Sequence, residues 1–164
     1  MSLTSMDDAL RRIRRGEMVL VVDDEDRENE GDLTIAAEWV TPEAINFMMR
    51  WARGLVCMPC STRRLDELDI GPMVPPDVAG CDTAFTVTID HRDAGSGIGA
   101  HDRALTIRKI LDPASRADHF VAMAMFVPTQ SRSKPHASSN IPARVLHTST
   151  PGHRYRGTAL ARSN

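Results

Sequence analysis

Ten consecutive residues, Asp23-Asp24-Glu25-Asp26-Arg27-Glu28-Asn29-Glu30-Gly31-Asp32, carry seven carboxylates and a single arginine. They follow directly on the apolar run Met18-Val19-Leu20-Val21-Val22, and Leu33 and Ile35 resume the apolar pattern beyond them. The acids therefore belong to a loop between two strands. So much like charge in one loop repels itself unless cations or bound polar ligands offset it. Hard divalent cations such as magnesium take oxygen ligands, usually one or two carboxylates completed by water and substrate oxygens. Arg27 offers the planar fork that suits a phosphate or a carboxylate. The chemistry these types and spacings point to is a divalent metal with an anionic, oxygen-rich small molecule; the plain alternative is a solvated charge run. A calcium loop is excluded. Asp26, Glu28, Glu30 and Gly31 fall at positions one, three, five and six of that pattern, but the bidentate Glu required at position twelve is Ala37.

Other reactive residues are fewer. Cys57 and Cys60 form a C-x-x-C with no second pair, and Cys81 makes the total odd, so neither a disulfide framework nor structural zinc is expected. The loop 94–99 contains three glycines and Ser96 ahead of a helical pattern whose N-terminal amides favour an anion. The 164 residues suit one domain with a sizeable core, and no apolar run approaches the roughly 18 residues of a membrane span. The charged N-terminus lacks a signal-peptide core, which makes the cytoplasm the expected location. The net charge of −2 conceals a division. All 22 acidic residues lie within 1–120 against 14 Lys and Arg, whereas 121–164 holds 6 Lys and Arg and no acid.

The elements that must position these groups follow from periodicity. Residues 6–16 read as a helix with Met6, Ala9, Leu10 and Ile13 on one face, closed by Gly16. Strands are expected at 18–22, around 33–37 and at 55–58, the last halted by Pro59. Thr41-Pro42-Glu43 starts a helix by its capping hydroxyl, first-turn proline and acid near the positive end; Ile45, Met48, Met49 and Ala52 recur along it, and Gly54 ends it. A polar helix spans 61–68, a proline-rich loop 72–80. Residues 84–90 alternate, with Phe85, Val87 and Ile89 on one face, and a helix runs over 100–111 with Ala104, Ile107 and Leu111 inward. The alternation predicts an α/β (α+β type) domain, a mixed sheet with flanking helices. From about Val121 the periodicity stops; by composition the tail reads as disordered or loosely packed.

Several separate stretches resemble 3,4-dihydroxy-2-butanone 4-phosphate synthase, a family of riboflavin biosynthesis. They are the run from Asp23 to Leu33, then Gly54-Leu55-Val56-Cys57, Leu68-Asp69-Ile70-Gly71-Pro72-Met73, Thr83-Ala84-Phe85-Thr86-Val87-Thr88, and Gly97-Ile98 through Ala100-His101-Asp102-Arg103-Ala104, in the family's order. The resemblance implies a homodimeric lyase. It would use Mg2+ (or Mn2+) to split D-ribulose 5-phosphate into the four-carbon dihydroxybutanone phosphate and formate. It further implies that Glu28 ligates the metal and that Arg27, Glu28, Asp32 and Ser96 contact the sugar phosphate. Glu30, Asp32 and Cys57 become the catalytic candidates, although a buried small hydrophobe is an equally good reading of Cys57. Nucleic acid and membrane are not expected partners.

The departures define the domain reading. In the family's Thr-Gly-Ile-Ser-Ala loop this chain has Ser96-Gly97-Ile98-Gly99-Ala100, and Asp82 stands where glycine is usual. The family's later Arg-Pro-Gly-His-Val-Phe-Pro-Leu and Gly-His-Thr-Glu-Ala motifs, which supply a second metal ligand, a histidine and phosphate contacts, have no counterpart. Pro151-Gly152-His153-Arg154 echoes the second only faintly. The expectation is a synthase-like domain over 1–120 lacking the C-terminal part of the fold, and a non-homologous basic tail over 121–164. An acid-free, aperiodic tail beginning where the likeness stops is the pattern left by a shifted reading frame. Two functions follow: the lyase itself, or an inactive paralogue that binds a sugar phosphate or a partner.

Overall fold

The computed structural model describes residues 4–22, 31–74 and 85–122, and the backbone of three later strand segments. Helix α1 (Met6–Arg14) starts where the Ser5 hydroxyl accepts from the Asp8 amide, and it ends at Gly16, whose φ of 80° only glycine adopts freely. Strands β1 (Val19–Val22) and β2 (Gly31–Ala36) then pair antiparallel, from Val19 opposite Thr34 to Val22 opposite Gly31. The all-apolar β1 is buried on both faces. Val19 and Val21 pack with Ile13 and Ala36 on the α1 side, while Leu20 and Val22 join the main core on the other.

Helix α2 (Pro42–Trp51) begins as its residues dictate, with Thr41 capping the Ala44 amide and proline in the first turn. Its exit differs from expectation: the left-handed residue is Arg53, at φ 60°, and Gly54 only follows it. The Arg53 amide donates to the Met48 carbonyl, so the helix end is closed one residue earlier than glycine alone suggested. Strand β3 (Leu55–Cys60) runs through Pro59 rather than stopping there. It pairs antiparallel with β7 (Val145–Ser149) only across Leu55–Cys57, and parallel with β6 (Thr129–Ser131) from Met58 onward. By Pro59 the β7 flank carries no ladder, and a proline without its N–H is tolerated at such an edge.

Helix α3 (Thr62–Glu67), capped by Ser61, leads to a second correction. Residues 85–88 do not form a strand with Phe85 and Val87 inward. Thr86 is the buried one, bridging to Pro72, and Phe85 and Val87 are half-buried. Amide–carbonyl bonds from Met73 to Phe85 and from Val87 to Gly71 tie this segment to the loop after α3. Regular pairing begins only at β4 (Ile89–His91), which lies antiparallel to β5 (Phe120–Ala122) in a separate two-stranded sheet. Between them runs α4 (Ala100–Leu111), whose Ala104, Ile107 and Ile110 pack with Ile45 and Met48 of α2 in the main core.

The larger sheet has the order β6-β3-β7-β2-β1-β8, where β8 is Leu160–Arg162, parallel to β1. It is mixed, as expected, with α1 on one face and the α2–α4 core on the other. Three of its six strands come from residues beyond 121, a stretch whose composition showed no strand period. The longest of them starts at Val145-Leu146.

Candidate active site

The candidate residues fall into three places. The acidic run opens from the β1–β2 hairpin. Arg27, Glu28 and Glu30 lie outside the described residues, but the two anchors of their segment, Val22 and Gly31, are register partners. Both ends are thus one sheet rung apart, about 4.5–5.5 Å between Cα atoms. Asp32 stands on the next residue of β2, opposite Val21 and half-buried, with its carbonyl accepting from the Thr34 hydroxyl at 3.3 Å.

Cys57 is in the middle of β3, with β7 between it and β2. It is 1% exposed, and its thiol donates to the Leu55 carbonyl at 3.8 Å. Burial, reinforced by the negative charge of Asp32, pushes the thiol up to about 12. It is therefore a neutral S–H at physiological pH, a weak donor and a packing group, and not a thiolate nucleophile. The electrostatic contact is the informative part: two candidates 25 residues apart in sequence sense one another across the sheet.

Ser96 occupies a different neighbourhood. It is exposed on the loop before α4, where its hydroxyl accepts from the Ile98 amide at 3.4 Å. It lines a cavity of about 220 Å³ with Asp90, His91, Arg92, Ala94, Gly95 and Val121, and neither Asp32 nor Cys57 belongs to that lining. A larger cavity of about 570 Å³ lies at the C-terminal end of β3, between Cys60, Arg63, Glu67 and Leu111. It contains no candidate, and Arg64 on its wall is occupied with the carbonyls of Ile110 and Asp112.

Three further residues around Ser96 were missed by sequence reasoning. Asp102, in the first turn of α4, accepts from the Gly95 amide at 3.2 Å and from the Gly97 amide at 3.1 Å. Arg103, buried, donates from Nε to the Ile98 carbonyl at 2.9 Å. Asp90, buried on β4, has its carboxylate against Gly97. Asp102 and Arg103 were visible within a quoted motif but carried no role. A glycine loop followed at short range by an acid in a helical first turn is the signal that could have found Asp102. Burial raises the Asp90 pKa against the opposing pull of Arg103, with Asp102 adding to the rise.

Among the described residues no three His, Cys, Asp or Glu side chains converge as a metal cluster, and no helix is long and apolar enough to cross a membrane. A family model, "3,4-dihydroxy-2-butanone 4-phosphate synthase", matches residues 7–135, past the boundary at Phe120. The chain is 47% identical over 131 residues to riboflavin biosynthesis protein RibBA of Aquifex aeolicus, covering 78% of this chain and 32% of the relative. It is 47% identical over 121 residues to 3,4-dihydroxy-2-butanone 4-phosphate synthase of Wolinella succinogenes, covering 74% and 35%. The chain thus spans about a third of the length of these relatives. Among solved structures, a 3,4-dihydroxy-2-butanone 4-phosphate synthase in complex with two magnesium ions superposes with a TM-score of 0.77 at 30% identity, over 97% of this chain and 82% of that one. The two-domain synthase RibBX from A. baumannii gives 0.83 at 28% identity, over 97% and 55%. The chain belongs to the 3,4-dihydroxy-2-butanone 4-phosphate synthase family.

Proposed function

We propose that this chain is a lyase of riboflavin biosynthesis that converts D-ribulose 5-phosphate to 3,4-dihydroxy-2-butanone 4-phosphate and formate. The observation that carries the reading is the family match across residues 7–135, which includes the acidic run, Cys57 and the Ser96 loop. The reaction needs a proton removed from C3 to give an enediol, loss of water from C1, a skeletal rearrangement, addition of water at C4, and release of C4 as formate. Glu30 and Asp32 act as the acid–base pair, since carboxylates within hydrogen-bond reach of a reacting carbon or hydroxyl can shuttle its proton. Arg27 and Ser96 hold the sugar phosphate, with Glu28 and Asp32 facing its hydroxyls. Cys57, a neutral thiol, contributes a weak S–H donor and a dry wall beside Asp32.

The donor chemistry of residues 23–32 fits a hard divalent cation, because seven carboxylates supply only oxygen. Glu28 would hold Mg2+ or Mn2+, and the synthase structure with two magnesium ions supports that choice. When bound, the cation supplies charge stabilisation to adjacent substrate oxygens. The protein acts in the cytoplasm as a homodimer.

The second reading is favoured by one specific observation: the histidine and glutamate motifs of the family have no counterpart in residues 121–164. On that reading the domain over 1–120 binds the sugar phosphate without turning it over, and the tail of 121–164 adds no catalytic group. Incubation with ribulose 5-phosphate and Mg2+, followed by a formate assay, tests the lyase. Formate release supports it; magnesium-dependent binding without formate leaves the binding paralogue, and neither signal overturns both. Glu28→Gln is expected to weaken magnesium binding about tenfold in calorimetry, the order seen when a metal's coordination is disturbed, with circular dichroism unchanged.

A further inference from the structure

We infer that Asp102 is a positioning residue that holds the Ser96 loop in its ligand-receiving form, with Arg103 and Asp90 as the other two braces. The inference rests on the reading of Ser96 as a sugar-phosphate contact. Loop 95–99 passes in front of α4, and its backbone is tied from one side by a single carboxylate. Asp102 Oδ1 accepts from the Gly95 amide and Oδ2 from the Gly97 amide, at 3.2 and 3.1 Å. The two bonds straddle Ser96. They fix the Ala94–Gly95 and Ser96–Gly97 peptide units through the two oxygens of one side chain. From the helix side, Arg103 Nε donates to the Ile98 carbonyl at 2.9 Å.

The third brace works by exclusion. A Cβ built on Gly97 would collide with Asp90 Oδ2 and Cγ. Gly97 also has φ +72°. The loop can therefore lie on the Asp90 carboxylate only because residue 97 has no side chain. Asp90 Oδ1 is buried without a hydrogen-bond partner among the described residues, and the charge of Arg103 acts on the same carboxylate. Three charged side chains around one five-residue loop, two of them buried, is costly to arrange for a merely connecting segment. Ser96 is what the arrangement presents: exposed at the rim of the 220 Å³ cavity while both neighbouring glycine amides are tied back.

The test uses the full chain, with two readouts for each of Asp102→Ala and Asp102→Asn. Amide hydrogen exchange at Gly95 and Gly97 reports the loop; titration calorimetry with ribulose 5-phosphate and Mg2+ reports the ligand. Asp102→Ala is expected to speed exchange at both amides and weaken binding, each about tenfold, the scale of one lost charge-assisted hydrogen bond. Asp102→Asn keeps one carbonyl oxygen and should fall between. Unchanged exchange in the Ala variant overturns the brace, and faster exchange with intact affinity overturns its role in positioning Ser96. Should the Ala variant fail to fold, the Asn variant is judged by the same two criteria. A wild-type chain that binds no ribulose 5-phosphate overturns the function proposed above and the ligand half of this inference with it, while the exchange data still decide the loop half.

Discussion

Cys57 and Ser96 are held by opposite means. Cys57 sits on a central strand between Val56 and Met58, both fully buried, and its one polar bond is a weak thiol contact to Leu55. Ser96 sits on an exposed loop with almost no apolar support, and charged side chains fix the backbone around it. Apolar packing is non-directional and spreads over many contacts, so the strand site should respond to volume. Hydrogen bonds accepted by one carboxylate and donated by one guanidinium are directional, so the loop site should respond to single atoms.

Removing volume from the dry side should have the largest effect. Met48→Ala, at a position with no exposure beneath the α2–α4 contact, is expected to lower stability by about 2–5 kcal/mol in urea denaturation. Exchange at Gly95 and Gly97 should rise no more than global stability falls; a larger local change would show the two regions to be coupled. Next in size is Gly97→Ala, which meets both the Asp90 carboxylate and an unfavourable φ. A loss of about 1–3 kcal/mol is expected, concentrated in the exchange of loop 95–99, while Cys57 stays protected from alkylation.

Cys57→Ser tests the strand side with nearly constant volume. It should cost about 1–3 kcal/mol, because the hydroxyl is buried with the Leu55 carbonyl as its distant acceptor and the Asp32 charge nearby. In the wild type, alkylation by iodoacetamide should stay slow through pH 9, since the thiolate forms only near the raised pKa of about 12. Rapid labelling at pH 8 would contradict the dry wall. The smallest effect concerns Asp90. Its pKa is raised in the fold, so the folded state holds a proton the unfolded chain gives up first, and stability falls as pH rises above the ordinary carboxylate range. Asp90→Asn removes that dependence. The variant should gain on the wild type as pH rises above the ordinary carboxylate range in thermal melts, and an unchanged difference would show that Asp90 is solvated.

These two modes of support also decide what could be read in advance. Ala9 and Ile13 of α1, the Thr41 cap and Ala104 and Ile107 of α4 were legible because they depend on spacing along one element. Met6, by contrast, is exposed, and Ile110 is buried more deeply than the expected Leu111. The burial of Thr86 in place of Phe85 was not legible, because it depends on a bridge to Pro72, fourteen residues earlier. Pro59 misled for the same reason, since its tolerance depends on which neighbours flank β3 at that rung. At the site, the acidic run was legible by type, and Cys57 by resemblance. The role of Asp102 was not, because it lies in two distances that no spacing rule encodes.

The Val22–Gly31 rung has a consequence for the acidic run between its ends. Bringing together the ends of any chain segment costs an entropy that grows as (3/2)RT ln n, roughly 2 kcal/mol for eight residues. The four-rung ladder of β1 and β2 settles that cost during folding. A ligand arriving between Val22 and Gly31 meets two chain ends already held together, so the ladder acts as an entropic pre-payment on binding. Breaking the first rung should thus weaken a ligand that never touches Val22 or Gly31, and should do so mainly through the entropy of binding.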